Sequence, residues 1–152
     1  NQDYAIISGT QLSARYKLNE HFEARSSYTI LKNSTSNSEP IRHITPNFGG
    51  TSIYLTLNKF NISLASAYNQ EFTFDKFAPG EKNDAFLYTQ DENGNPYSPG
   101  WIIFNVNSSY RITEKIKLTL GIDNLLDKRY RPYSSGITSS GRNIHIAFHA
   151  NI

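Results

Sequence analysis

Apolar and polar residues alternate one by one along seven stretches of the chain. The alternation is cleanest towards its end, where Ile116, Leu118, Leu120 and Ile122 take turns with Lys117, Thr119, Gly121 and Asp123. After a glycine-containing loop, Ile144, Ile146, Phe148, Ala150 and Ile152 take turns with Asn143, His145, Ala147, His149 and Asn151. A period of two sends successive side chains to opposite faces of an extended backbone, so each stretch predicts a strand with one apolar and one polar face. The same parity predicts strands over Ile6 to Leu18, Phe22 to Leu31, Phe48 to Leu57, Phe60 to Phe74 and Trp101 to Ile112. Their apolar sets include Leu12, Ala14 and Tyr16; Phe22, Ala24, Tyr28 and Ile30; Ile53, Leu55 and Leu57; Phe60, Ile62 and Leu64; and Ile102, Phe104 and Val106.

The connections between these strands alternate in length. Asn19-Glu20-His21, Asn58-Lys59 and Thr113-Glu114-Lys115 are tight turns, Lys32 to Pro46 and Asp75 to Pro99 are long, and the connection from Asn124 to Arg142 is intermediate. Pro79-Gly80 and Asn93-Gly94-Asn95-Pro96 punctuate the longest of them as turns. Short turns at one end and long loops at the other are the asymmetry of an outer-membrane barrel. No Asp, Glu, Lys or Arg stands on the apolar parity in the middle of a strand. A charge facing lipid at mid-bilayer costs about 2–4 kcal/mol, so this distribution predicts a membrane wall with its charges turned to the lumen. Aromatic residues fall where interfacial girdles belong, with Tyr16, Phe22, Phe60 and Tyr110 near the short turns and Tyr28, Tyr68, Trp101 and Tyr130 near the loops.

Composition changes the picture only a little. Mean hydropathy is −0.53, yet Tyr (10) and Phe (9) are abundant, which suits strands that hide their apolar face by alternation. The longest purely apolar run is Trp101 to Phe104, too short for a membrane helix. A net charge of +2 with no basic stripe gives no case for nucleic acid. The absence of cysteine fits a periplasmic folding route without requiring it.

Between the last two strands stand Asn124-Leu125-Leu126-Asp127-Lys128-Arg129-Tyr130-Arg131, then Pro132-Tyr133-Ser134-Ser135-Gly136, then Gly141-Arg142-Asn143. This segment resembles the closing segment of TonB-dependent outer-membrane receptors, in which an Asn-Leu-Phe/Leu-Asp-Lys-x-Tyr-Arg run and a Gly-Arg-Asn lead into the final barrel strand. Asn124, Leu125, Asp127, Tyr130, Arg131, Gly141, Arg142 and Asn143 carry the match. The resemblance implies an all-β fold: the C-terminal portion, residues 1–152, of an antiparallel transmembrane barrel of about 22 strands. The expected sheet is open, and it is expected to need the missing N-terminal strands, because unpaired edges are costly in lipid. The resemblance further implies a plug domain outside this chain and energy-dependent uptake of a scarce nutrient. That nutrient would be an iron chelate, haem, cobalamin or an oligosaccharide. The implied partners are outer-membrane lipid, a small-molecule ligand and the TonB complex, reached through the missing part, and the implied place is the outer membrane of a Gram-negative cell.

Two other architectures also alternate: a small barrel serving as anchor or adhesin, and a soluble β-sandwich such as a carbohydrate-binding module. Sandwich strands average about 5–6 residues, shorter than these. Catalysis has little support, and no cofactor is expected. His145 and His149 share a face but lie about 13 Å apart at strand rise, too far for one mononuclear metal without a third element. Asp91-Glu92-Asn93-Gly94-Asn95 reads as a plain turn, because Gly94 is misplaced for a calcium loop and Pro96 intrudes. Loops held on a rigid scaffold commonly carry recognition, which singles out Tyr88, Tyr97, Trp101 and Tyr133 as candidate ligand-binding residues.

Overall fold

The computed structural model describes residues 4–151. Seven long strands form one antiparallel sheet in which nearly every neighbour in sequence is a neighbour in space. They are β1 (Ala5–Lys17), β2 (Phe22–Thr35), β3 (Phe48–Leu57), β4 (Phe60–Asn69), β7 (Trp101–Arg111), β8 (Ile116–Asp123) and β9 (Asn143–Ala150), in that spatial order. A two-residue hairpin, β5 (Thr89–Gln90) with β6 (Pro96–Tyr97), lies apart in the loop between β4 and β7.

The register carries the apolar parity unbroken across the sheet. Directly opposed residues share a face, and Tyr16, Ala24, Ile53, Leu64, Val106, Ile122 and Ile144 oppose one another in a single row from β1 to β9. One residue of slip anywhere would send a strand's apolar set to the polar side. On the other face a matching row runs Lys17, Glu23, Tyr54, Ser63, Asn107, Gly121 and His145. Charge gathers on this face. Arg15 stands opposite Arg25, a repulsive pairing relieved by Glu23, which accepts from Arg15 at 2.7 Å and also from Arg25. The Arg25 guanidinium lies 4.9 Å from the centre of the Tyr54 ring.

Among the described residues nothing covers the apolar face. Even on strands paired along both edges, Leu64 is 39% and Leu120 44% exposed, where a sandwich would bury them under a second sheet. Among the described residues that second sheet does not exist, and β1 and β9 occupy opposite ends of the strand order rather than pairing. The sheet is therefore an open wall, neither a sandwich nor a closed small barrel. At 10 residues, β3 and β4 have the length of a tilted membrane-crossing strand, about 9–11 residues. Near the loop end of the apolar face, Tyr28 and Tyr68 stack with ring centres 6.1 Å apart across Gly49. A Cβ on Gly49 would collide with the backbone carbonyl of Ser27 on the neighbouring strand as well as with the Tyr68 ring, so this close approach needs a glycine.

All three short turns lie at one end of the wall. The Asn19 side-chain oxygen accepts the N–H groups of His21 (2.9 Å) and Phe22 (2.8 Å), and Thr113 Oγ1 accepts that of Lys115 (3.2 Å). The three long loops, residues 36–47, 70–100 and 124–142, meet at the other end.

Three expectations from the pattern need correction. The second strand runs on to Thr35 rather than stopping at Leu31, because β1 pairs with it as far as Ala5↔Thr35. The fourth strand ends at Asn69 rather than Phe74. Its chain leaves the sheet to form a bridge between Phe72 and Ser98, and a 3-10 turn follows at Phe74–Lys76. Trp101 opposes Asn69, which puts it on the polar parity rather than in a lipid-facing girdle. The expected pairing at Ile152 lies outside the described residues.

The parity assigns opposite fates to adjacent residues. Leu120→Arg places a charge on the bare apolar face and is expected to cost about 2–4 kcal/mol of membrane stability. Thr119→Arg, on the polar face, is expected to insert like wild type. Comparing both in a membrane-insertion assay checks the orientation, and equal tolerance contradicts it.

Candidate functional site in the outer loops

Among the described residues the largest fully buried side chains belong to a loop. Phe77 and Glu81 are each 1% exposed, and both lie in the 70–100 loop. Pro79, with its backbone preset for a helix start, opens the one-turn helix α1 (Pro79–Lys82), with Glu81 near its N-terminus. The turn throws Glu81 inward against an aromatic cluster. Phe72, Phe77, Tyr88 and Tyr133 form it, with ring centres 4.9 Å apart for Phe72 and Tyr133 and 4.5 Å apart for Phe77 and Tyr88.

A buried carboxylate is tolerated when its oxygens are hydrogen-bonded. Glu81 receives four donors: Tyr133 Oη at 2.7 Å, the His43 N–H at 3.0 Å, the Ala78 N–H at 3.3 Å and Tyr88 Oη at 3.4 Å. Burial pushes the Tyr133 hydroxyl far above the ordinary tyrosine value, and its hydrogen bond to Glu81 adds to the effect. The Tyr88 hydroxyl is raised as well, chiefly by burial; a hydrogen bond to Ser134 acts against the shift. His43 Nδ1 meets both Ser134 Oγ and, at 3.8 Å, Glu81 Oε1. A nucleophilic relay requires the two ring nitrogens to serve different partners. Here one nitrogen faces both, so the Ser134–His43–Glu81 group is a structural clasp.

Beside this cluster a cleft of about 430 Å³ opens between the 70–100 and 124–142 loops. Tyr88, Tyr97 and Trp101 all line it, together with Tyr130, Lys128, Arg129 and Arg131. Trp101 and Tyr130 stack with ring centres 4.4 Å apart, and an Arg131 N–H donates to the Leu87 carbonyl at 2.9 Å, tying the two walls together. The fourth candidate, Tyr133, sits in the aromatic cluster and does not line the cleft. The cleft thus offers flat aromatic faces and cationic groups, which suits a ligand with planar rings and negative charge.

The remaining motif residues build the base of the 124–142 loop. Asn124, 3% exposed and left-handed at φ 50°, closes the loop with both ends of its carboxamide. Its Nδ2 donates to the Lys128 carbonyl (2.9 Å), its Oδ1 accepts the Lys128 N–H (2.9 Å), and its backbone N–H donates to Asn105 Oδ1 (2.8 Å). The Leu125 N–H is held by the Phe104 carbonyl at 2.7 Å. Asp127 Oδ1 accepts the Arg142 N–H at 2.8 Å, and a Cβ on Gly141 would lie 2.6 Å from that oxygen, so a larger residue there would have to displace the Asp127 carboxylate from its bond. Asn143 reaches Asp123 at 3.5 Å where β9 begins. His145 and His149 lie on the polar face, His145 with its ring over Gly121 and His149 opposite Lys117. Asp91 is occupied by its own turn, accepting the N–H groups of Asn93 and Asn95 at 2.8 Å each. Sequence reasoning missed Glu81, Phe77 and His43. The Ala-Pro-Gly-Glu stretch carried one usable signal, a proline-opened helix start followed by an acidic residue.

A strand wall with one lipid-facing side and a loop-borne site at one end defines this chain as part of a transmembrane β-barrel. The family model described as TonB dependent receptor-like, beta-barrel, matches residues 1–125, and the chain belongs to the TonB-dependent receptor β-barrel family. Among solved structures it is similar to the copper transporter OprC, with 20% identity over 92% of this chain and 22% of that one, at a TM-score of 0.72. The FrpB iron transporter from Neisseria meningitidis is similar at 16% identity over 99% and 24%, with a TM-score of 0.72. A ferric enterobactin receptor from Pseudomonas aeruginosa (PfeA) is similar at 14% identity over 96% and 22%, with a TM-score of 0.70. The chain therefore spans a little over a fifth of the length of the structures it matches. No curated protein matches it.

The raised tyrosines generate a test. A folded state that keeps the Tyr133 proton longer than the unfolded chain draws stability from it in full below about pH 10, and loses that stability progressively as pH rises further. Subtracting the ultraviolet titration of Tyr133→Phe from that of wild type is expected to leave one tyrosine ionising well above the exposed ones. A difference curve centred at the ordinary tyrosine value contradicts the buried Tyr133–Glu81 bond.

Proposed function

We propose that the chain is the C-terminal part of a TonB-energised import receptor in the outer membrane of a Gram-negative cell. In this reading it supplies barrel wall and extracellular loops, while the plug and the contact with TonB belong to the rest of the protein. The polar face lines the lumen, and the cleft between the 70–100 and 124–142 loops forms part of the ligand-binding mouth. The observation that carries the reading is the joining, at the long-loop end of a lipid-facing wall, of Trp101, Tyr130, Tyr97 and Tyr88 with Lys128, Arg129 and Arg131. That chemistry favours an anionic metal chelate over a neutral oligosaccharide. Three of the similar structures are described as transporters or receptors of copper, iron and ferric enterobactin, which supports a metal-bearing cargo.

The test is binding to the complete receptor. Trp101→Ala is expected to weaken an anionic ferric chelate tenfold or more, about 1.4 kcal/mol per decade. The double change Lys128→Gln with Arg129→Gln is expected to weaken anionic chelates while leaving a neutral one unchanged. Isothermal titration with both ligand types reads this out, and affinities indifferent to all three residues contradict it.

A further inference from the structure

Each pair of the three outer loops is joined directly. Loops 36–47 and 70–100 meet where the Arg42 side chain lies over Gly80 and pairs with Asp84, and where the His43 N–H reaches Glu81. Loops 70–100 and 124–142 meet through Tyr133 on Glu81 and Arg131 on the Leu87 carbonyl. Loops 36–47 and 124–142 meet through His43 and Ser134. The links close a triangle, and Glu81 supplies one in two of its three sides. Both His43 (φ 62°) and Ser134 (φ 58°) stand in the left-handed region, a conformation such residues hold only where their surroundings over-determine it.

We propose that Glu81 is a latch: its carboxylate ties the three outer loops into one lid that moves as a single body and sets the position of Tyr88 in the cleft wall. Two features point to this role. The carboxylate is 1% exposed and lines no part of the cleft, so contact with cargo does not explain its burial. Its donors come from all three loops, and a lone packing contact within the 70–100 loop would need none from the other two. The partner groups are spaced 38 and 52 residues from it in sequence, so releasing the carboxylate frees long segments together. A glutamine in its place keeps the shape but replaces one acceptor oxygen with a donor. With the amide nitrogen towards Tyr133 the phenol oxygen must turn acceptor and the Ala78 N–H loses its partner, and with it towards His43 that N–H faces a donor; in either orientation neither inter-loop bond keeps its charged acceptor, which weakens both.

Limited trypsin digestion of the complete receptor, without ligand, tests the latch, because each loop carries a cleavable bond: after Arg42, after Lys76 and Lys82, and after Lys128 and Arg129. In Glu81→Gln, cleavage in all three loops is expected to accelerate together, tenfold or more and by factors within about threefold of one another. The heat-sensitive gel mobility of the folded barrel should stay unchanged. Tyr133→Phe, which removes only the shortest bond, is expected to give a smaller rise of the same concerted kind, and it decides the matter if Glu81→Gln does not assemble. Acceleration confined to Lys76 and Lys82, or no acceleration in either variant, overturns the proposal. The readout involves no cargo, so its failure and that of the proposed cleft are separate results.

Discussion

Hydrocarbon offers a peptide N–H no partner, and the rest of the structure depends on that constraint. A chain crossing a bilayer by strands must pair every backbone group with a neighbouring strand and leave no edge open. It must also give one side-chain parity wholly to lipid. Between themselves the seven strands meet the first demand by following one another across the sheet, with short turns fixing three of the hairpins, while the outer edges of β1 and β9 stay unpaired among the described residues. They meet the second through a register that keeps the row from Tyr16 to Ile144 apolar or small at each step. Polar and charged side chains then have one place left, the opposite face, where Arg15, Glu23, Arg25 and Tyr54 form their own network.

Among the described residues neither face of such a wall packs against a second layer, so burial appears elsewhere. The loops must satisfy their own polar groups while standing clear of the membrane, and they do so around Phe77 and Glu81. The wall fixes the six strand ends from which these loops spring, and the loop cluster fixes the loops to each other. The cleft lies between two of the loops so fixed, which gives the aromatic and cationic groups a preset geometry.

How much of this was legible in the sequence follows from how local each signal is. A strand declares itself through alternation within its own residues, so Phe48–Leu57 was bounded correctly and the lipid parity was assigned without any knowledge of the partners. Where pairing rather than alternation sets a boundary, the pattern failed: the Leu31 to Thr35 stretch turns polar, yet β1 holds it in the ladder. Trp101 was placed in a girdle by residue type, although counting its parity from Ile102 puts it on the opposite face. Of the four aromatic candidates, Tyr88, Tyr97 and Trp101 line one cleft and Tyr133 does not. Glu81 was not legible. No periodic pattern encodes contacts to residues 38 and 52 positions away, and a lone glutamate in a turn looks like solvated surface.

The most direct test of the wall is to ask each side of it what solvent it meets. The chain contains no cysteine, so single cysteines at successive positions from Leu118 to Ile122 can carry a spin label, provided the remainder of the receptor is also made cysteine-free. Collision with oxygen, which concentrates in the bilayer, and with a water-soluble nickel chelate then reports the surroundings of each label. The account predicts strict alternation: Leu118, Leu120 and Ile122 accessible to oxygen and shielded from nickel, and Thr119 and Gly121 the reverse. Equal accessibility of both parities to the nickel chelate would contradict a membrane wall.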